Sequence, residues 1–357
     1  MSVTWKKGAS LALAVGAVAL VAAGGLSWFL FSPVVVGSSD QTHTLKIRRG
    51  MGFNAILRQM EQDSLVRGTS RIKFTAQLFG YKNQIKAGRY ALPGGLSSYG
   101  LLQKLVRGDV VHEPVTIPEG KTARQIASLL QRRVEIDSAR FLQLVNDSAF
   151  VRSLGVEAPS LEGFLFPNTY YFEWGMSEEQ IIRTMVAEFW KRYDDTLRRR
   201  AEELGLSLLE VVTLASIIEG EAMVDSERTV ISAVYHNRLR RGMRLQADPT
   251  IQYIIEDGPR RLLKRDLEID SPYNTYRYSG LPPGPINNPG LASIRASLYP
   301  ADVDYLYFVA RGDGSHTFSR TWKEHLRAKA HFDRYRKKVE KMRRGGKPQD
   351  GEKTGSG

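Results

Sequence analysis

Glu219 and Glu221 stand at the end of a run, Leu208 to Glu221, that is otherwise almost wholly apolar, and this setting suits acid–base chemistry. Ser207 followed by Glu210 reads as a capping box, so a helix is predicted to begin at Leu208. Leu208, Leu209, Val211, Val212, Leu214, Ile217 and Ile218 leave it almost no polar side, the signature of a helix buried in a core. At about 100° per residue, Glu219 falls on the face of Leu208, Val212, Ala215 and Ala222, and Glu221 turns to the opposite side, near Glu210. A buried carboxyl is costly unless it takes up a proton or finds a partner. A glutamate that keeps its proton near neutral pH is what a general acid requires. The alternative is structural, an ion pair with one of the chain's many arginines.

Further stretches carry polar groups in distinctive settings. Leu161-Glu162-Gly163-Phe164-Leu165-Phe166-Pro167-Asn168-Thr169-Tyr170-Tyr171-Phe172 sets one carboxylate among many rings. Such rings fill a core or line a saccharide cleft, and Glu162 is a candidate second site carboxylate. In Met243-Arg244-Leu245-Gln246-Ala247-Asp248-Pro249-Thr250, Asp248 reads as an N-cap with Pro249 at the first helical position. Ser271-Pro272-Tyr273-Asn274-Thr275-Tyr276 and the Pro/Gly/Asn loop Gly280–Gly290 follow, the latter a lid or a cleft wall.

The elements that position these residues belong to a chain of 357 residues, long enough for two domains beyond any anchor. It has no cysteine, which excludes disulfides, thiol catalysis and Cys-ligated metal, and its six histidines lack zinc-site spacing. No metal and no cofactor are expected. Lys6 and Lys7 precede an uncharged run from Gly8 to Ser39. Ala9–Phe31 would span roughly 34 Å as a helix, enough for a bilayer core of about 30 Å. We read it as an uncleaved single-pass anchor with a cytoplasmic N-terminus and an exported remainder, in preference to a signal peptide cut near Ala22-Ala23-Gly24.

Export governs how the net charge of +13 is read. An exported, tethered domain meets little nucleic acid, so anionic lipid or an anionic wall polymer is the expected partner. From Arg320 to Lys347 there are twelve Lys/Arg against three acids, predicted as a basic helix begun by Thr321 and Glu324. Ile47-Arg48-Arg49-Gly50 and Ile117-Pro118-Glu119-Gly120 echo each other, each a strand and Gly turn leading into an amphipathic helix, as in small LysM-type repeats. Helices are also predicted over Arg124–Phe150, over Glu178–Leu204, and after an Asp225 or Ser226 cap to Gly242. A hairpin joins Tyr305–Ala310 to His316–Phe318. The expected fold class is α+β: an N-terminal transmembrane helix (1–32), a linker (33–43), a small LysM-like α+β region (44–150), a larger mixed α+β catalytic domain (151–335) and a basic, disordered tail (336–357).

The motifs around Glu162, Ala215-Ser216-Ile217-Ile218-Glu219, Asn237-Arg238-Leu239, Gln246–Thr250 and Ser271–Tyr276, in this order, resemble the endolytic murein transglycosylase (YceG-like) family over roughly Thr44 to Phe332. Two small departures are Gly220 before Glu221 and Asn168. The resemblance implies an inner-membrane lyase that cleaves the β-1,4 bond between N-acetylmuramic acid and N-acetylglucosamine of peptidoglycan, leaving 1,6-anhydro ends. It implies Glu219 as the acid/base, with wall synthases as associates. Gln246, Asp248, Asn274 and Tyr276 are expected to hold sugar N-acetyl and hydroxyl groups, because polar side chains on Pro-braced segments give fixed hydrogen bonds. Glu162 and Glu221 complete the candidate set. Two rivals remain: a non-catalytic glycan-binding scaffold, and a hydrolytic muramidase pairing Glu219 with Glu162, Glu221 or Asp248.

Overall fold

The computed structural model describes residues 3–256 and 258–345. It is a mixed α+β chain whose contacts divide it into two units. Unit 1 comprises 1–115, 130–136 and 170–177; unit 2 comprises 116–129, 137–169 and 178–357. The expected division at 150 is therefore displaced. Residues 116–129 and 137–169 join the second unit because Lys121 and Ala123 bond through their backbones to Asn288 and Glu162.

Unit 1 opens with α1 (Val3–Phe31), whose segment Leu13–Phe31 is long and apolar enough to cross a membrane, with mean hydropathy 2.0. Next come β1 (Thr42–Ile47), α2 (Phe53–Gln62), α3 (Ser70–Leu78), β2 (Gly88–Pro93), α4 (Ser98–Arg107) and most of β3 (His112–Thr116). β1 and β2 pair antiparallel from Thr42 opposite Pro93 to Ile47 opposite Gly88. Alternate residues point inward, so Leu45, Ile47, Tyr90 and Leu92 join Ile56, Leu57, Met60, Ile72, Leu101 and Leu105 in one core. Each such Ile or Leu contributes about 2 kcal/mol by leaving water. The start of the segment expected as a linker is built into this core: Val34 and Val35 are buried, and their amides donate to Leu96 O at 2.8 and 3.1 Å.

The rest of the chain supplies α5 (Ala123–Val134), α6 (Ser138–Val145), α7 (Ser148–Ser153), β4 (Thr169–Glu173), α8 (Glu178–Arg192), α9 (Asp195–Leu204), α10 (Leu208–Glu221), α11 (Arg228–Arg240), α12 (Asp248–Ile254) and α13 (Leu291–Leu298). It ends with β5 (Tyr307–Ala310), β6 (His316–Ser319) and α14 (Trp322–Gly345). β4 pairs with β3, and β5 with β6 as the predicted hairpin. The single helix expected over Glu178–Leu204 is two, because Asp194 turns its carboxylate onto the amides of Thr196 and Leu197 and starts α9. The predicted basic helix reaches Gly345, past the point where a tail was expected to begin, and 346–357 lie outside the described residues.

α10 is the axis of unit 2. The Ser207/Glu210 capping box forms as predicted, and Val211 to Ile218 are all buried. α9, α11, α12 and α13 pack around it. Leu214, Ile217, Ile218, Ile231, Tyr235, Leu245 and Ile286 form the core there.

Candidate active site

The last turn of α10 delivers Glu219 out of this core. Its side chain is only 7% exposed, and Arg228 at the start of α11 meets its Oε2 from 3.2 Å. The Gly290 amide, at the start of α13, donates to the same oxygen at 3.0 Å. Among the described residues no donor reaches Oε1. Arg228 is itself fixed, its Nε bonding Asp225 Oδ1 at 3.0 Å and its Nη1 bonding Ser293 Oγ. Asp225 thus holds this guanidinium instead of capping α11, which starts with no side-chain cap.

A second carboxylate faces this one. Glu119 follows Pro118 in the turn before α5, and a Cβ on Gly290 would collide with its carboxylate. Gly120, at φ +71°, brings that turn within 3.5 Å of Glu219 Cγ, measured from the Cβ a larger residue would carry. Burial, and then the negative charge of Glu219, push Glu119 above the usual glutamate range, with Arg228 opposing. Two carboxyls, one guanidinium and one backbone amide thus converge at Gly290.

Three of the other predicted site residues gather in a separate cluster. Glu221 turns away from Glu219, as its helical phase predicts, and accepts from the Tyr235 hydroxyl at 3.0 Å. Burial and then the charge of Asp248 push Glu221 up to about 7, against the Tyr235 hydrogen bond. Asp248 does not cap α12: Ala247 is the N-cap, and the Asp248 carboxylate accepts from Tyr276 Oη at 2.5 Å. Burial and Asp248 together raise Tyr276 far above the phenol range, so it stays a neutral donor. Gln246 is exposed beside them, its Oε1 3.5 Å from Arg238, and holds φ at +49°, a strained conformation of the kind that clusters at functional sites.

Asn274 and Glu162 do other work. Asn274 is fully buried; its amide donates to Leu267 O and Ile269 O, and its Oδ1 accepts from the Tyr276 amide. Both of its amide protons are taken by backbone carbonyls and the side chain is fully buried, so it is closed to a sugar. Glu162 is buried, accepting from the Ala123 amide at 2.9 Å and from Asn288 Nδ2 at 2.8 Å. Asn288 also donates to Lys121 O and takes the Gly163 and Leu165 amides on Oδ1. Ile286 and Asn287 bond Ser216 of α10. The loop is a fixed wall, and the rings of 161–172 are core, with Tyr171 alone strongly exposed.

These assignments separate by mutation. Tyr276→Phe is expected to raise KM or lower turnover several-fold, leaving Tm within about 2 °C, because it removes one hydroxyl from an open site. Asn274→Ala is expected to lower Tm by several degrees, because two carbonyls and one amide lose a buried partner. Thermal melts beside initial rates check both.

Glu119, Arg228 and Gly290 carry no signal that local pattern reading detects. The echo does hold one clue: Arg49 occupies the position in the first turn that Glu119 occupies in the second.

Residues 45–331 match the family model described as the YceG-like family. The chain is 33% identical over 310 residues to a protein of Bacillus subtilis (strain 168) named endolytic murein transglycosylase, covering 82% of this chain and 86% of that one. It is 31% identical to a protein of the same name from Streptococcus pneumoniae, again over 82% of this chain but only 59% of the longer relative. A crystal structure of a YceG-like protein from Listeria monocytogenes superposes with TM-score 0.58 at 34% identity, over 81% of this chain and 99% of that one.

Proposed function

Since the chain belongs to the YceG-like family, we propose that it is a peptidoglycan lytic transglycosylase with Glu219 as its acid and base. The observation that carries this reading is the asymmetry of Glu219. Arg228 and the Gly290 amide both hold Oε2, so Oε1 is left to deliver a proton to the glycosidic oxygen. After that transfer the carboxylate is stabilised by the same two donors, and it then removes the proton of the muramyl 6-hydroxyl. That oxygen closes on C1 and completes the 1,6-anhydro product without water. One carboxyl suffices because the nucleophile is the sugar's own; two-carboxylate glycosidases instead need a second group for water or for covalent attack.

Gln246, Asp248 and Tyr276 are proposed to bind sugar hydroxyl and N-acetyl groups. Glu221 supports Asp248 in this role. The apolar span Leu13–Phe31 of α1 supports a single-pass anchor, and Lys6 and Lys7 on its N-terminal side support a cytoplasmic N-terminus and an extracytoplasmic catalytic unit. Held at the membrane, the site meets nascent strands and cuts within them, which terminates elongation beside the wall synthases. We propose the region 44–150 as LysM-like and glycan-binding, on the echo between its Ile47–Gly50 and Ile117–Gly120 turns.

The rival hydrolase gains one point from Glu119, a second carboxyl near the first. Mass analysis of purified glycan strands after digestion decides. Anhydromuramyl ends at internal cuts support the proposal. Reducing ends with incorporated water overturn it in favour of the muramidase, and an unchanged polymer in favour of the scaffold.

A further inference from the structure

We propose that α3 and the turn after it form a second membrane-contacting surface, so that unit 1 lies on the bilayer beside its own anchor. The inference rests on α1 spanning the membrane. α3 has two faces: Ile72, Thr75 and Ala76 pack into the core, and Arg71, Phe74 and Leu78 form an outward stripe at helical spacing. Phe74 is 46% exposed, Leu78 51% and Phe79 40%, although all are apolar and lie within six residues of one another. A contiguous patch of this kind on a folded unit marks a contact surface.

What covers it follows from its position against α1. Phe29 packs edge-on against Phe74 at 5.3 Å, and Phe31 against Tyr99 at 5.4 Å. Tyr99 in turn meets Phe79 at 5.1 Å, and Phe79 stacks on Tyr81 at 5.6 Å. The uncharged part of α1, Ala9 to Phe31, is a helix of about 34 Å, only slightly longer than a hydrocarbon core of about 30 Å, so its last turn lies close to the edge of that core. Phe29 therefore sits at the edge of the hydrocarbon, and Phe74, in ring contact with it, sits at nearly the same depth.

No flexible joint separates the two. Val34 and Val35 are buried directly after α1, Pro33 bridges to Ser97, and Val35 bridges to Val66. The Arg71 guanidinium lies 4.7 Å over the Trp28 ring and donates to Ser32 Oγ at 2.5 Å, clamping α3 to the exit turn. A ring of Trp, Tyr and Phe with basic residues is the composition of a membrane–water interface, and exposed Lys73 and Lys82 flank the patch as partners for anionic head groups.

The absence of cysteine makes the test direct. Leu78→Cys, Asn54→Cys and Leu20→Cys, each in the full-length chain, would be labelled with an environment-sensitive fluorophore. Each would be reconstituted in phosphatidylethanolamine/phosphatidylglycerol vesicles containing lipids with a nitroxide just below the head group. Asn54 is exposed at the start of α2, and Leu20 lies inside α1. Quenching at 78 is expected to exceed that at 54 about threefold or more, as for a residue seated in the interface. If 20 is protected from aqueous quenchers while 78 behaves like 54, this inference is overturned and the anchor stands. If 20 is also open to water, the anchor reading itself fails. Shielding of 78 in native membranes but not in pure vesicles would assign the patch to a protein partner and equally overturn the lipid contact.

Discussion

Glu219→Gln is expected to lower turnover by about a thousandfold or more, the upper part of the range for loss of an acid–base group. The amide keeps an oxygen for the Gly290 N–H, and Arg228 keeps Asp225 and Ser293, so the fold around α10 has no reason to open. Tm should stay within a few degrees while anhydro products vanish from digests. Products at anywhere near the wild-type rate would remove Glu219 from the chemistry. Glu119→Gln separates the neighbouring carboxyl from it. Burial and Glu219 hold Glu119 above the ordinary glutamate value, so its proton is lost only as pH rises past that range. Any activity that depends on the protonated form falls along that limb. The Gln variant is expected to keep most of its turnover and to flatten the limb; an unchanged pH profile would leave Glu119 a bystander.

Glu162→Ala is expected to be the most destabilising single change, by about 3 kcal/mol or more. It removes the shared acceptor of two buried donors and leaves a void. Lys121, Ala123, Gly163, Leu165 and the loop at Asn288 are all joined through this pair of side chains, so the loss reaches the wall that carries Gly290. The carboxyl also makes stability pH-dependent. Burial raises it from 4.5 to about 8. Between those values the folded chain holds a proton that the unfolded chain has released. This contribution is therefore complete below about 4.5 and is lost as pH rises through about 8. Glu162→Gln, which keeps the shape and cannot titrate, should show a smaller fall in Tm between pH 6 and 8.5 than the wild type. Parallel slopes would show that Glu162 is charged throughout.

The part of this site that was legible in the sequence is the part made by local rules. The α10 capping box, its all-round apolar body and the opposed phases of Glu219 and Glu221 are properties of one helix, and periodicity reports them. What that periodicity could not report is closure. Glu119, Arg228 and Gly290 reach Glu219 from three different elements, the first a hundred residues away. Asp248 illustrates a second limit. Its cap signature was sound, yet a Tyr276 hydroxyl 28 positions on takes the carboxylate, and the cap passes to Ala247. Asn274 illustrates a third: an amide in a Pro-rich loop reads alike whether it serves a ligand or ties its own turn, and here it ties the turn. The segment after α1 reads as a linker because it carries no periodic pattern, and its structure comes from distant partners: Pro33 bridges to Ser97 and Val35 to Val66.

The Gly290 amide has a use beyond catalysis. Its proton is shared with Glu219 Oε2, and its Cα lies against the Glu119 carboxylate. The nitrogen and proton resonances of this one backbone group therefore feel the ionisation of both acids directly, with no side chain of their own to confuse the reading. A spectrum of the chain labelled with nitrogen-15 glycine alone would follow the pair through a titration, with substrate or without it. The same spectrum in the Glu219→Gln chain would isolate the share that belongs to Glu119.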